Sequence, residues 1–174
     1  MRPKSRRVEA IVVGRKDLFE ADKIITLFTP NEGIIKVIAK GVAKPASRRL
    51  GKLELGGKIK ALVVAGRSFD IITEVEVLDD LASIRQDMNK LGGLLFLCEL
   101  INNLLPEQEE NQKVWDKTII AIDNIKNGRI SQLVNFEAQL LDLLGFGITK
   151  EEENLMNKKD WKNLHLKLNS RLRA

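Results

Sequence analysis

Gly33-Ile34-Ile35-Lys36-Val37-Ile38-Ala39-Lys40 reads as a β-strand with two unlike faces. Side chains alternate along a strand with a period of two, so Ile35, Val37 and Ala39 share an entirely apolar face that belongs in a core. Ile34, Lys36, Ile38 and Lys40 share the other, and the two lysines project from it together. The strand runs directly into a basic loop. Between Glu32 and Glu54 there is no acidic residue, while Lys36, Lys40, Lys44, Arg48, Arg49 and Lys52 all fall in that interval. So one-sided a run suits a polyanion, commonly nucleic acid or an anionic membrane surface. The plain alternative is a solvated, mobile loop without a ligand.

Outward from this strand, residues 8–13, 23–28, 59–64 and 71–77 are also rich in Val, Ile, Thr and Phe at strand length. Pro30-Asn31-Glu32-Gly33 separates the second strand from the third and is short enough for a hairpin, with Gly33 free to take positive φ. Residues 41–57 follow the third strand, and Ala65-Gly66-Arg67-Ser68 precedes the last. Lys58 and Lys60 repeat the outward lysine pair on the fourth strand. Five strands in so short a segment suit a small closed barrel. The OB-fold is the five-stranded form that commonly binds nucleic acid, and an SH3-like barrel satisfies the same strand count.

From Leu78 onward the period becomes that of a helix, giving an α+β chain with a barrel over residues 1–78 and a helical domain over residues 79–174. Leu81, Ile84, Met88 and Leu91 are spaced by three or four, as are Trp115, Ile119, Ile122 and Ile125. Ile130, Leu133, Val134, Leu140, Leu141 and Leu144 form a third stripe. Residues 94–105 are apolar nearly all round, as expected of a central helix buried by the others. Pro106 stops it. Glu107-Gln108-Glu109-Glu110 then leads into the next helix, where negative charge suits an N-terminus. Gly128 and Gly145 stand where helix C-caps are expected.

Composition narrows the chemistry. The 174 residues carry 29 Lys plus Arg against 24 Asp plus Glu, with 44% hydrophobic and 30% charged residues, the balance of a globular protein. The excess is uneven: residues 1–78 hold 16 cationic and 9 anionic side chains, residues 79–174 hold 13 and 15. One cysteine allows neither an internal disulfide nor a cysteine-based zinc site, and one histidine leaves little for imidazole catalysis. No apolar run reaches the ~18 residues of a membrane span. The basic start, Met1-Arg2-Pro3-Lys4-Ser5-Arg6-Arg7, is followed by no apolar signal core, so a cytoplasmic protein is expected.

Catalytic motifs are equally sparse. Neither G-x-x-x-x-G-K-[ST] nor G-x-S-x-G occurs, and no helix opens behind Gly56-Gly57. His165 reads as a surface histidine, Cys98 as a small buried hydrophobe, and Asp79-Asp80 and Glu151-Glu152-Glu153 as helix caps and solvated charge. A non-enzymatic binding protein without a cofactor is expected. Aromatics are few, with six Phe, two Trp and no Tyr. Only Phe19, Phe28 and Phe69 fall in the basic half, and Phe28 is assigned to the core. Nucleic-acid binding should therefore lean on phosphates, with weak sequence preference and strong salt dependence. For about five phosphate contacts on single strands, log affinity should fall against log salt with a slope near −3.5.

Several pieces occur together and in order: Glu9-Ala10-Ile11-Val12-Val13-Gly14-Arg15, Glu20-Ala21-Asp22-Lys23-Ile24, Thr26-Leu27-Phe28-Thr29-Pro30, and Ala39-Lys40-Gly41 with Arg48 and Leu50-Gly51. This array resembles the start of the RecO family of bacterial DNA repair proteins. Leu104-Leu105-Pro106 and Leu143-Leu144-Gly145-Phe146-Gly147 extend the likeness. The resemblance implies an N-terminal OB-fold, a helical domain, and a role as recombination mediator in the bacterial cytoplasm, associated with the nucleoid. Family members bind single- and double-stranded DNA and anneal complementary strands. With their partner RecR they help load RecA onto strands covered by single-stranded DNA-binding protein, whose acidic tail docks on the helical domain. No membrane partner is implied.

The family is expected to hold DNA on the third strand and the loop after it, to which Lys36 and Lys40 correspond. Lys44, Arg48, Arg49 and Lys52, with Arg15 and Lys23, complete the expected DNA-binding set, and Arg6 and Arg7 are further candidates to neutralise phosphates. Many members carry a four-cysteine zinc finger after the Gly-Phe-Gly segment. Here Ile148-Thr149-Lys150-Glu151 occupies that place, so no zinc is expected. The chain is also shorter than most members, ending soon after Leu168-Asn169-Ser170-Arg171-Leu172. Two other readings fit the charge pattern. One is an OB-fold RNA-binding module of translation or ribosome assembly, which would prefer RNA through its 2′-OH. The other is a protein adaptor whose basic half serves solubility alone.

Overall fold

The computed structural model describes residues 4–172. Strand β1, Ser5–Asp17, is long enough to serve two neighbours. Its first half runs antiparallel to β4, Lys58–Val64, from Ser5 opposite Val64 to Ile11 opposite Lys58. Its second half runs antiparallel to β2, Lys23–Thr29, ending with Asp17 opposite Lys23. The register slips between Val12 and Gly14, and a bulge of this kind bends a strand toward its second partner.

The β2 strand turns back into β3, Gly33–Ala39. Gly33 has φ +63°, and its carbonyl accepts a hydrogen bond from the Thr29 hydroxyl at 3.1 Å. Strand β5, Asp70–Asp79, pairs antiparallel with β4. It meets β3 in parallel at only two positions, Val37 with Asp70 and Ile38 with Ile71. The order β1-β2-β3-β5-β4 closes on itself. This is the five-stranded OB-fold barrel.

Strand parity explains the two cores. Ile35, Val37 and Ala39 point inward with Ala10, Val12, Ile25, Leu27, Ile59 and Val63. Ile11, Val13, Phe28 and Ile34 take the opposite face and pack under the helices. Phe28 is thus buried outside the barrel, edge-on to Trp115 with ring centroids 5.4 Å apart. The outer face of β3 therefore divides, with Ile34 covered and Lys36 and Lys40 exposed.

The helices are α1 (Ala82–Arg85), α2 (Met88–Leu104), α3 (Gln112–Lys126), α4 (Leu133–Leu143), α5 (Lys150–Asn157) and α6 (Trp161–Leu172). Central α2 buries Leu94, Leu97, Cys98 and Ile101 against the barrel and its neighbours. Gly128 and Gly145, at φ +73° and +86°, end α3 and α4 in paired backbone hydrogen bonds, as C-cap glycines do. Asp79 joins the two halves. It accepts from Lys126 Nζ at 2.5 Å and from the Leu81 N–H at 3.0 Å. Burial works to raise the Asp79 pKa, but these two donors and the charges of Lys126 and Lys58 outweigh it and hold it below the ordinary value.

Two helix expectations are corrected. Leu81, Ile84, Met88 and Leu91 do not share one helix. The Asp87 carboxylate accepts from the N–H groups of Asn89 and Lys90 and starts a new one, leaving Met88 81% exposed. The acidic stretch after Pro106 does not charge the N-terminus of α3 either. Asn111 caps that helix, with no acidic residue in its first turn, and residues 107–108 run beside β3 instead. Ile34 and Glu107 form a parallel bridge, and the Gln108 N–H donates to the Ile34 carbonyl at 2.9 Å. The physical reason is the short β3–β5 pairing, which leaves the start of β3 with backbone groups to satisfy.

Candidate nucleic-acid interface

The connection from β3 to β4 is held at both ends by apolar anchors. Val42 and Leu53 are fully buried in the barrel core, and Leu50 packs against it. A 3-10 turn, Leu50–Lys52, lies between them. The first residues are tied to the β1–β2 loop. The Gly41 N–H donates to the Asp22 carboxylate at 2.7 Å, and the Ala43 N–H to the Ala21 carbonyl at 3.0 Å. The basic segment is therefore built into the barrel rather than draped over it.

Within it the cations divide by what they touch. Arg49 donates to the carbonyls of Lys40 at 2.8 Å and Ile72 at 3.4 Å. Lys52 donates to the Val75 carbonyl at 3.3 Å. Ile72 and Val75 lie on β5 just beyond its pairing with β3, so these two side chains serve backbone acceptors the barrel leaves open. Lys40, Lys44 and Arg48 are exposed, and among the described residues no carboxylate pairs with them.

The other residues of the expected set are engaged elsewhere. Arg15 donates to the Leu53 carbonyl at 3.2 Å and the Glu54 carboxylate at 3.1 Å. Lys23 pairs with Asp17, whose pKa is held low by that hydrogen bond and by the lysine's charge. Lys36 pairs with Glu107, their side chains 41% and 52% exposed. Arg6 is gripped by Glu32 at 2.7 Å and Asp70 at 2.9 Å, and its pKa is raised chiefly by the Glu32 hydrogen bond, against the opposing effect of burial. Arg7 pairs with Glu74, and Lys58 with Glu9.

Sequence reading did not find the Lys36–Glu107 pair, since 71 positions separate its members and only the acidic stretch after Pro106 hints at it. His165 also departs from expectation. It is half-buried, 3.2 Å from the fully buried Glu137 and 2.9 Å from Asn169, and lies edge-on to Phe96. Its polar C-terminal surroundings suggest a surface place, and its partner Glu137 stands on α4, out of reach of local sequence. Cys98 is buried as expected and donates to the Val12 carbonyl at 3.8 Å. Asp79 and Asp80 cap the N–H groups of Leu81 and Ala82, and Glu152 forms a capping box with Thr149.

Residues 1–81 match the family model described as Recombination protein O N terminal, and residues 85–162 match Recombination protein O C terminal. The chain belongs to the RecO family. The DNA repair protein RecO of Roseiflexus sp. (strain RS-1) is 32% identical over 148 residues, which span 84% of this chain and 52% of that protein. The DNA repair protein RecO of Desulforamulus reducens is 32% identical over 140 residues, 80% of this chain and 55% of that protein. The one from Symbiobacterium thermophilum is 28% identical over 142 residues, 80% and 56% respectively. The chain thus spans about half the length of the curated relatives it matches. Its closed barrel, with the basic segment between β3 and β4, is the OB-fold of a RecO N-terminal domain.

Proposed function

We propose that this chain is a non-enzymatic DNA-binding and strand-annealing factor of recombinational repair, working in the RecF-pathway manner that helps load RecA. The observation that carries it is the trio Lys40, Lys44 and Arg48, exposed cations that pair with no carboxylate among the described residues, on a segment the barrel holds in place. Neutralising phosphates on two strands lowers their mutual repulsion, so complementary strands pair without ATP. Arg15, Lys23, Lys36, Arg49 and Lys52 add positive potential around the trio while serving the contacts described above. The division into a DNA-binding barrel over 1–78 and a helical partner-binding domain over 79–174 belongs to the same proposal, as does a place at the bacterial nucleoid.

RecR and the acidic tail of single-stranded DNA-binding protein are the proposed partners. A groove of about 410 Å³ in the helical half, lined by Phe96, Ile130, Leu133 and Val134 with Lys162 and His165 alongside, has the apolar and cationic character that such a tail requires. The test is fluorescence anisotropy of a labelled single strand across a salt series, for the parent and the Lys40→Glu, Lys44→Glu double variant. The parent should bind and anneal with a matched RNA bound no better, and the double variant should lose both. Equal affinity in the two proteins refutes the assignment, and a preference for RNA selects the translation reading.

A further inference from the structure

Phe19 is the most exposed of the six phenylalanines, at 73%, and belongs to none of the apolar clusters. It stands in the β1–β2 loop, which the Leu18 N–H closes by donating to the Asp22 carbonyl at 3.0 Å. The same loop carries the two acceptors, Ala21 and Asp22, that hold Ala43 and Gly41. The loop that carries this bare aromatic ring is therefore tied, within a few residues of it, to the start of the segment that presents Lys40 and Lys44. An exposed ring on a loop hydrogen-bonded to the segment that carries Lys40 and Lys44 matches a ligand that is at once anionic and flat.

We propose that Phe19 is a stacking platform for one unpaired nucleobase, which makes the interface selective for single-stranded over duplex DNA. This rests on the DNA-binding reading above. A duplex offers its phosphates to the lysines but keeps its bases stacked on one another, whereas a single strand can lay one base on the ring. Stacking uses only the face of the base and leaves its pairing edge free, so the strand stays available to a complement. The composition of the basic half argues for phosphate contacts alone; the exposure of this one ring adds a base contact.

The experiment compares the parent with Phe19→Ala, Phe19→Leu and Phe19→Trp. Each is titrated with a labelled single strand, a duplex of equal length and an abasic single strand. A stacked base should make Phe19→Ala about 5- to 150-fold weaker on the single strand, with duplex and abasic affinities and the salt slope unchanged. Phe19→Leu should behave like Phe19→Ala. Phe19→Trp should keep parental affinity and show emission quenching on the single strand that the parent lacks. Because the side chain packs in no core, thermal midpoints of all four should agree. Unchanged single-strand affinity in Phe19→Ala overturns the inference, and so does an equal loss on all three ligands. Anionic vesicles bound by the parent and lost by Phe19→Ala, with DNA unaffected, overturn it in favour of a membrane contact. A parent that binds no DNA refutes the DNA-binding reading itself.

Discussion

Replacing Glu107 by Gln should strengthen DNA binding and steepen its salt dependence. In the folded chain the Glu107 carboxylate sits on Lys36 as a phosphate would, and the backbone of residues 107–108 is fixed beside β3 independently of that side chain. The substitution therefore removes the competing charge without moving the segment. Both side chains are close to half exposed, and an exposed pair is worth about 0–1 kcal/mol, so the gain in affinity should reach at most about fivefold. The slope is more telling. Each phosphate neutralised on a single strand contributes about −0.7, so the three cations left without a carboxylate among the described residues give about −2.1 for the parent. That is shallower than the roughly −3.5 of about five contacts, because Lys36 is paired with Glu107 and Arg49 and Lys52 serve the backbone. Release of Lys36 should bring the slope to about −2.8. Glu109→Gln is the matched control, since it removes the same charge without freeing Lys36. Anisotropy between about 50 and 200 mM salt resolves the difference. Identical slopes for Glu107→Gln and Glu109→Gln would refute the competition and leave Lys36 a structural cation.

Arg49→Ala should lower the unfolding free energy by about 1–2 kcal/mol, because it strands acceptors on Lys40 and Ile72. Lys44→Ala should leave stability within about 0.5 kcal/mol and weaken only binding; urea melts paired with anisotropy separate the two. Burial raises the pKa of Glu137 against the hydrogen bond and charge of His165. The native state then holds a proton that the unfolded chain has released, so stability falls as pH rises from the ordinary glutamate value of 4.5 toward the raised one. Glu137→Gln should flatten that part of a denaturant-midpoint profile, and an unaltered profile would exclude Glu137 as its source. Burial pushes the Cys98 thiol up to about 12, with Arg85 and a backbone contact from Gly56 only partly opposing it. A thiol reagent at neutral pH should therefore modify it no faster than the chain unfolds; a rapid stoichiometric reaction in native buffer would contradict its burial.

Strand content and the parity of β3 were legible because a period of two leaves a mark in sequence, and Ile35, Val37 and Ala39 do line the barrel. The second core was not. Phe28 and Ile34 stand on the outer face by parity, and only the arrival of α2 and α3 over that face makes them buried. Local signals placed the caps well, Gly128, Gly145 and the Asp79-Asp80 pair among them. The stripe from Leu81 to Leu91 misled because Asp87, a capping residue, sits inside it without disturbing the apolar spacing. At the interface, charge sign was readable and charge use was not. Lys36, Lys44 and Lys52 look alike in sequence, yet they meet a distant carboxylate, solvent and a β5 carbonyl respectively.

That division follows from how the barrel closes. Parallel pairing of β3 with β5 lasts for two residue pairs, so the strands splay on both sides of it and each opening needs donors and acceptors from elsewhere. On one side residues 107–108 supply them and bring Glu107 to Lys36. On the other the segment after β3 supplies them through Arg49 and Lys52, with Val42 and Leu53 plugging the core beneath. Long cationic side chains can reach across such a gap while their charged ends stay near solvent. A segment rich in such side chains for closing the barrel presents the remainder, Lys40, Lys44 and Arg48, outward at fixed positions. Because the barrel already holds their backbone in place, binding has only their side-chain rotamers left to order, at about 0.5–1.5 kcal/mol each.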